Sequence, residues 1–169
     1  MPPPRVVIIL GSASDVELAR ESKFAEVFGA LIIPYEVSVV SAHRNLTALI
    51  EYCRRMASNG TCVFIAAAGL AAALPGTIAA ALLGFSVPVI GVPLPGGFLG
   101  GLDATLAILQ MPSGVPVALA GSIGKAGLCN AALIACQMMA IADHDLAERL
   151  VGYRKTINEA KPVMFSLDF

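Results

Sequence analysis

The chain is short of charge: only 14% of its 169 residues are Asp, Glu, Lys or Arg, and the formal net charge is −1. Between Met56 and Asp143 the only charged residues are Asp103 and Lys125. No cluster of basic residues suits a nucleic-acid backbone, so we expect no nucleic-acid partner. The length fits a single domain with a sizeable core, and we expect residues 1–169 to form that one domain.

The sequence also lacks an uninterrupted apolar run long enough to cross a membrane, although 57% of its residues are hydrophobic. The longest candidate, residues 126–142, falls at the short end and carries Asn130 and Gln137. The rest of the apolar middle is interrupted by Pro75, Gly76, Gly84, Pro88, Pro93, Pro95, Gly96 and Gly97. We therefore expect no membrane association, but strands buried on both faces and a large apolar subunit interface.

Metal-type cysteine spacing is missing as well. The four cysteines form no CxxC pair, so we expect free thiols that pack as small apolar side chains and bind no metal: Cys53, Cys62, Cys129 and Cys136. No signal peptide is recognisable, and we expect Pro2-Pro3-Pro4 to be a stiff lead-in to an apolar run. These features favour a reducing, cytoplasmic compartment.

The common nucleotide-binding fingerprints are absent. Gly124-Lys125 is followed by Ala126, so there is no GxxxxGKS or GxxxxGKT loop, and no GxGxxG follows the first apolar run. Apolar runs and helical patterns instead alternate five times, which predicts a doubly wound parallel α/β sheet with right-handed crossovers. The predicted strands are 6–10, 37–40, 62–67, 87–92 and 115–119, and the predicted helices are 16–28, 45–58, 104–109, 123–142 and 145–161, with another beginning within 68–76.

The first predicted strand is followed by Gly11-Ser12-Ala13-Ser14-Asp15. The free N–H groups and the dipole of a helix N-terminus attract anions, and Ser12 and Ser14 add hydroxyl groups. Asp15 would repel a phosphate but suits sugar hydroxyls, so the segment indicates a phosphorylated sugar. The alternative is that Ser14 or Asp15 simply caps the helix.

The second predicted strand ends in Ser41-Ala42-His43-Arg44. Ligands of such sheets bind where strands end, and Arg44 offers a forked donor for phosphate oxygens. His43 is one of only two histidines and can move a proton near neutral pH. The alternative is that Ser41 caps the next helix, Arg44 is solvated and His43 is incidental.

The segment after the third predicted strand, residues 68–76, consists almost wholly of small residues. Small side chains allow backbone amides to approach a flat ligand closely. Tight packing of a helix on the sheet requires the same composition, and the sequence favours neither explanation. The predicted helix 123–142 is apolar all round, which favours packing against another subunit.

On the first two of these loops the chain resembles the aminoimidazole ribonucleotide carboxylase family. The likeness covers roughly residues 5–155 and continues through Ala73-Leu-Pro-Gly76, Pro88-Val-Ile-Gly-Val-Pro93, Gly101-Leu-Asp103, Gln110-Met-Pro112, Gly114-Val-Pro116, Gly124-Lys-Ala-Gly127 and Asn130-Ala-Ala-Leu133. It implies a flavodoxin-like three-layer domain with core 5–142. It also implies a homo-octamer, with active sites at subunit contacts and the C-terminal helix 145–161 packed on a neighbouring subunit.

The resemblance implies an enzyme of purine biosynthesis that needs neither metal nor organic cofactor. Its substrate would be a phosphoribosyl aminoimidazole, whose carboxylate leaves the exocyclic amine as carbon dioxide and is attacked by ring carbon four. His43 would shuttle the proton. Ser12, Asp15, Ser41 and Arg44 would hold ribose and phosphate with Ser14 nearby. The floor beneath the ring and the carboxylate would be formed by Ala68, Gly69, Ala73 and Leu74.

The third and fourth loops depart from the family pattern. Members that move the carboxylate within the substrate usually carry histidine at the position of Ala73 and glycine at that of Leu70, and Pro95-Gly96-Gly97-Phe98 replaces a polar segment. Two alternatives therefore stay open. One is a carboxylase or decarboxylase that uses free carbon dioxide or a related phosphoribosyl heterocycle. The other is a non-catalytic nucleotide-binding module.

Overall fold

The computed structural model describes residues 3–159, which form a parallel five-stranded sheet with helices on both faces. The strands are β1 (Val6–Leu10), β2 (Tyr35–Val39), β3 (Val63–Ala68), β4 (Val89–Pro93) and β5 (Ala118–Leu119). The helices are α1 (Val16–Arg20), α2 (Phe24–Ala30), α3 (Leu46–Ser58), α4 (Ala73–Ala81), α5 (Leu102–Leu109), α6 (Gly124–Ala140) and α7 (His144–Ile157). A 3₁₀ turn over Ala13–Asp15 precedes α1.

The strand order is β2-β1-β3-β4-β5, so β1 lies between the strand that follows it and β3. This is the flavodoxin-like order. The strands are added to one side of β1 and then, from β3 onward, to its other side, and this reversal leaves a crevice beyond the carboxyl ends of β1 and β3. One hydrophobic cluster joins the sheet to α1, α2, α6 and α7, and a second joins the opposite face to α3, α4 and α5. The predicted three-layer α/β fold is confirmed.

The register brings the ends of the first four strands side by side. Leu10 of β1 is paired with Val39 of β2 and with Ala67 of β3. Beyond these pairs, the N–H of Val40 donates to the carbonyl of Leu10 at 3.0 Å, and the N–H of Gly11 donates to that of Ala67 at 3.0 Å. The loops that follow β1, β2 and β3 therefore leave the sheet next to one another.

β2 does not fit the prediction that the strands are buried on both faces. It lies at the edge of the sheet, and Tyr35, Val37 and Val39, on the face that also carries α2, are 38–45% exposed. β5 is also shorter than predicted, because only Ala118 and Leu119 pair with β4. Pro116 has no N–H to donate to a neighbouring strand, which accounts for the late start of β5.

The predicted helix 16–28 is interrupted between α1 and α2. The buried Ser22 hydroxyl donates to the carbonyl of Ala19 at 2.8 Å, at the point where α1 ends. A side-chain bond of this kind competes with the helical backbone pattern, and the chain restarts at Phe24. The helical spacing of apolar residues continues through this break, so the sequence pattern did not predict it.

Contacts within its own subunit account for many of the apolar residues of α6. Its buried residues include Leu128, Ala131 and Cys136, and they pack in the same cluster as residues of α2, α7 and the sheet. Several residues of α6, such as Cys129 and Ile134, are only partly buried, so packing of this helix against another subunit stays a prediction. Small residues such as Gly127 and Ala132 allow the helix to be enclosed on several sides.

The C-terminal helix α7 packs on its own chain through the buried Leu146 and Leu150. The Asp143 carboxylate accepts from the N–H of Leu146 at 3.0 Å and pairs with Arg5 at 2.9 Å. Contact of α7 with a neighbouring subunit stays a prediction, as does the single domain over 1–169. Positions 160–161 of the predicted helix lie outside the described residues.

Within residues 3–159, no helix has both the length and the apolar character needed to span a bilayer. The four cysteines are free, as expected. Burial raises the pKa of the Cys53 and Cys136 thiols to about 12, so both behave as small apolar side chains in the core.

Candidate active site

A cavity of about 430 Å³ opens at the carboxyl edge of the sheet, where four loops meet. The two loops with polar side chains, which follow β1 and β2, both border it. All ten residues expected at the site line this cavity: Ser12, Ser14, Asp15, Ser41, His43, Arg44, Ala68, Gly69, Ala73 and Leu74. The structure thus brings together residues that are as far apart in the chain as Ser12 and Leu74.

The first loop is organised by Ser12. Its hydroxyl oxygen accepts from the backbone N–H of Ser14 at 3.3 Å and from the Ser14 hydroxyl at 2.8 Å. Ser12 therefore caps the 3₁₀ turn, whereas Asp15 stands before α1 without a capping bond from its side chain. The alternative that Ser14 or Asp15 is the helix cap is not supported.

Asp15 sits half-buried at the cavity with its carboxylate close to the serines. Burial raises the pKa of this carboxyl above its ordinary value of 3.8, and hydrogen bonds from the Ser12 backbone and the Ser14 hydroxyl act in the opposite direction. The Ser14 hydroxyl lies 3.5 Å from one carboxylate oxygen. A carboxylate held in this way is an acceptor for hydroxyl groups of a ligand.

The second loop carries polar side chains that do not stabilise the fold. Ser41 is half-buried, while His43 and Arg44 are exposed. Within residues 3–159 neither of these two exposed side chains has a hydrogen-bond or ion-pair partner. The N–H of Asn45 donates to the carbonyl of Ser41 at 2.9 Å, and Asn45, not Ser41, occupies the N-cap position of α3.

The third loop follows β3 and forms the apolar floor. Two of its residues lie in the left-handed region of the backbone without being glycine, Leu70 at φ 56° and Ala72 at φ 40°. A Cβ at Gly69 would lie 3.3 Å from the carbonyl oxygen of Leu94, so only glycine fits there without displacement. Small residues here serve both explanations left open above, because they pack against the neighbouring loop and also line the cavity.

The fourth loop contributes Pro95, Gly96 and Gly97 to the cavity wall. These residues were not among the expected site residues. The signal that could have found them is their position, directly after the fourth parallel strand and hence at the same edge as the other three loops.

The cavity has two chemically different sides. The first two loops supply hydroxyls, a carboxylate, an imidazole and a guanidinium. The lining side chains from the third and fourth loops carry no donor or acceptor, since they are Ala, Gly, Leu and Pro. A ligand with a polar and a flat apolar end therefore fits with its polar end on the first two loops. Among residues 3–159, no group of three His, Cys, Asp or Glu side chains is arranged to hold a metal ion.

The fold and this cavity define a doubly wound α/β protein with its ligand pocket at the carboxyl edge of a parallel sheet. The model of the AIR carboxylase family matches residues 5–160, and the chain belongs to that family. This confirms the resemblance seen in the first two loops.

Curated relatives match over nearly the whole chain. The N5-carboxyaminoimidazole ribonucleotide mutase of Escherichia coli K12 is 47% identical, over 90% of this chain and 87% of that protein. The mutase of the same name from Bacillus subtilis is 45% identical, over 98% and 97%. In structure the chain is similar to the PurE of Treponema denticola, with a TM-score of 0.77, 26% identity and coverage of 91% of each chain.

Proposed function

We propose that this protein is an enzyme of purine biosynthesis that converts N5-carboxyaminoimidazole ribonucleotide to 4-carboxy-5-aminoimidazole ribonucleotide. Family membership and the names of the relatives support this reaction. The observation that carries the proposal is the meeting of the Ser12–Asp15 and Ser41–Arg44 segments at one cavity. Their side chains match the phosphate and ribose of such a substrate.

In this proposal the polar side of the cavity binds the phosphoribosyl group. Arg44 donates two parallel hydrogen bonds to phosphate oxygens, and the hydroxyls of Ser12 and Ser41 add neutral donors. Asp15 accepts from the ribose hydroxyls, and Ser14 holds Ser12 and Asp15 in place. The imidazole ring and its carboxylate then extend over the floor formed by Ala68, Gly69, Ala73 and Leu74.

The reaction breaks the bond between the exocyclic nitrogen and the carboxylate carbon. The electron pair stays on the nitrogen, and carbon dioxide is released into the cavity. Ring carbon four attacks the carbon dioxide and then loses its proton to His43, which returns a proton to the exocyclic nitrogen. Imidazole suits this shuttle because its ordinary pKa lies near neutral pH. No metal or organic cofactor enters the proposed steps.

The proposal is tested by turnover of N5-carboxyaminoimidazole ribonucleotide at low bicarbonate. We expect the wild-type protein to form the carbon-carboxylated isomer, and His43→Asn to lower kcat by about 100-fold or more, the usual scale for loss of an acid–base group. His144→Asn, which changes the other histidine at the start of α7, is the control and should leave the rate unchanged. A wild-type rate for His43→Asn would contradict the role of His43.

A second candidate is favoured by the apolar third loop, in which Leu70 and Ala73 offer no polar group to a carboxylate. The enzyme would then carboxylate aminoimidazole ribonucleotide with free carbon dioxide, or act on a related phosphoribosyl heterocycle. A rate that rises with bicarbonate and requires aminoimidazole ribonucleotide identifies the first case. Tight binding of the ribonucleotide without turnover at any bicarbonate concentration would identify a non-catalytic binding module.

We further propose that the chain is a single cytoplasmic domain that assembles into a homo-octamer, with part of α7 on a neighbouring subunit. Exposed apolar residues support assembly: Phe98 is 98% exposed, and Leu102, Leu106 and Leu109 follow it along α5. Several large apolar side chains exposed within one short segment are typical of a protein interface. The mass of the protein in solution tests the octamer.

A further inference from the structure

Leu70 and Leu74 are the two large side chains that the segment after β3 places at the cavity, and of these Leu74 is buried whereas Leu70 is exposed. Its backbone lies in the left-handed region at φ 56°, which is unfavourable for a branched residue. The side chain remains 57% exposed, so burial in the core does not offset this strain. Strained residues of this kind concentrate at functional sites, where the surrounding structure holds them.

The Leu70 side chain reaches the fourth loop. A Cβ built on Gly97 would lie only 2.6 Å from the Cδ2 of Leu70, so the methyl group occupies the space that a side chain at position 97 would need. Gly97 is itself left-handed, at φ 62°, and also lines the cavity. The absence of a side chain at Gly97 therefore leaves room for the Leu70 side chain.

Leu94 and Pro95, where the fourth loop begins, are fixed by contacts that do not involve Leu70. The N–H of Leu94 donates to the carbonyl of Ala68 at 2.9 Å, and Pro95 lies against Gly124, where a Cβ would come within 3.1 Å of its Cδ. The Leu70–Gly97 contact is therefore made farther out along the loop, at the rim of the cavity.

We propose that Leu70, seated on Gly97, is a wall residue that retains carbon dioxide in the cavity during the reaction. The inference rests on the proposed function. After the carbon–nitrogen bond breaks, carbon dioxide is neutral and is held neither by Arg44 nor by any other charge. Only the surrounding walls keep it near ring carbon four. If it escapes, the exocyclic nitrogen takes up a proton, and aminoimidazole ribonucleotide is released in place of the product.

The role of Leu70 is tested by the partition between product and released carbon dioxide. N5-carboxyaminoimidazole ribonucleotide labelled with ¹³C in its carboxylate is mixed with enzyme and unlabelled bicarbonate. The label retained in the product and the aminoimidazole ribonucleotide released are both measured. Aminoimidazole ribonucleotide that forms by spontaneous loss of carbon dioxide from the substrate, measured in a parallel sample without enzyme, is subtracted. The corrected ratio does not depend on the overall rate, so a general loss of activity does not change it. Leu83→Ala, at an exposed leucine outside the cavity, is the matched control.

We expect Leu70→Ala to raise the escape of carbon dioxide relative to product by about fivefold or more, which corresponds to a change of about 1 kcal/mol in the partition. Leu83→Ala should match the wild-type protein. Gly97→Ala displaces the tip of Leu70 and should raise escape in the same direction. Adding Gly97→Ala to Leu70→Ala should then change little, because the contact is already lost.

An escape ratio for Leu70→Ala equal to that of Leu83→Ala would overturn the inference while leaving the proposed reaction intact. The inference would also fail if Gly97→Ala raised escape equally in the presence and absence of the Leu70 side chain. If the wild-type protein formed no carbon-carboxylated product, the proposed function would fail first, and the inference with it. Thermal unfolding of each variant verifies that the comparison is made on folded protein.

Discussion

At the scale of the residue, Asp15 shows that the site is built at some expense to the stability of the fold. The half-buried carboxyl has a pKa above 3.8 because burial disfavours its charged form. The folded state therefore binds this proton more tightly than the unfolded state does. The contribution of Asp15 to stability falls as the pH rises from about 3.8 through the higher pKa of the folded state.

Replacing Asp15 with asparagine should separate stability from binding. We expect Asp15→Asn to be as stable as the wild-type protein or more stable at pH 7, and to show less loss of stability with rising pH above 4, as measured by urea unfolding. Affinity for aminoimidazole ribonucleotide should fall by about tenfold or more, since hydrogen bonds to a charged group are lost.

Glu51→Gln, which removes an exposed carboxylate from the middle of α3, is the control for this change. It should affect neither stability nor affinity. An Asp15→Asn protein that is less stable at pH 7 yet binds the ribonucleotide normally would contradict the assignment, because it would make Asp15 a structural residue.

At the scale of the element, α6 and α7 bury apolar residues against each other and against the sheet of their own subunit. α6 packs under α2 and against β4, and α7 closes over it through Leu146 and Leu150. Asp143 links the start of α7 to Arg5, just before β1. The C-terminal helix is thus part of the core of its own chain, whatever its exposed face contacts.

The packing of α7 can be measured by shortening one buried side chain. Leu146 is fully buried, so Leu146→Ala should lower the free energy of unfolding by about 2–5 kcal/mol. Val151→Ala, at an exposed position of the same helix, should change it by less than about 0.5 kcal/mol. Small, equal effects of both substitutions in urea unfolding would show that α7 is not packed on its own subunit.

The same scale shows what could be predicted from the sequence. β1 was placed at its observed bounds, because five consecutive apolar residues suit a central parallel strand. The edge position of β2 and the break at Ser22 depend on contacts with residues distant in the chain, which periodicity does not report. The meeting of the first two loops could be predicted from parallel strands alone, whereas the strained backbone of Leu70 could not.

At the scale of the whole molecule, the site is a consequence of strand order. Because β1 lies between β2 and β3, the loops after all three strands leave the sheet at adjacent positions. The crevice at β1 and β3 then receives polar side chains from the first two loops and apolar walls from the next two. Sheet topology alone provides the place, and the particular residues of the loops provide the chemistry.

The central claim is that the loops after β1 and β2 bind a single phosphoribosyl imidazole. A crystal structure with aminoimidazole ribonucleotide tests it most directly. We expect the ligand inside the cavity of about 430 Å³, with its phosphate and ribose contacted by residues of both loops and its ring between His43 and Leu70. A ribonucleotide bound outside this cavity, or held by only one of the two loops, would contradict the account.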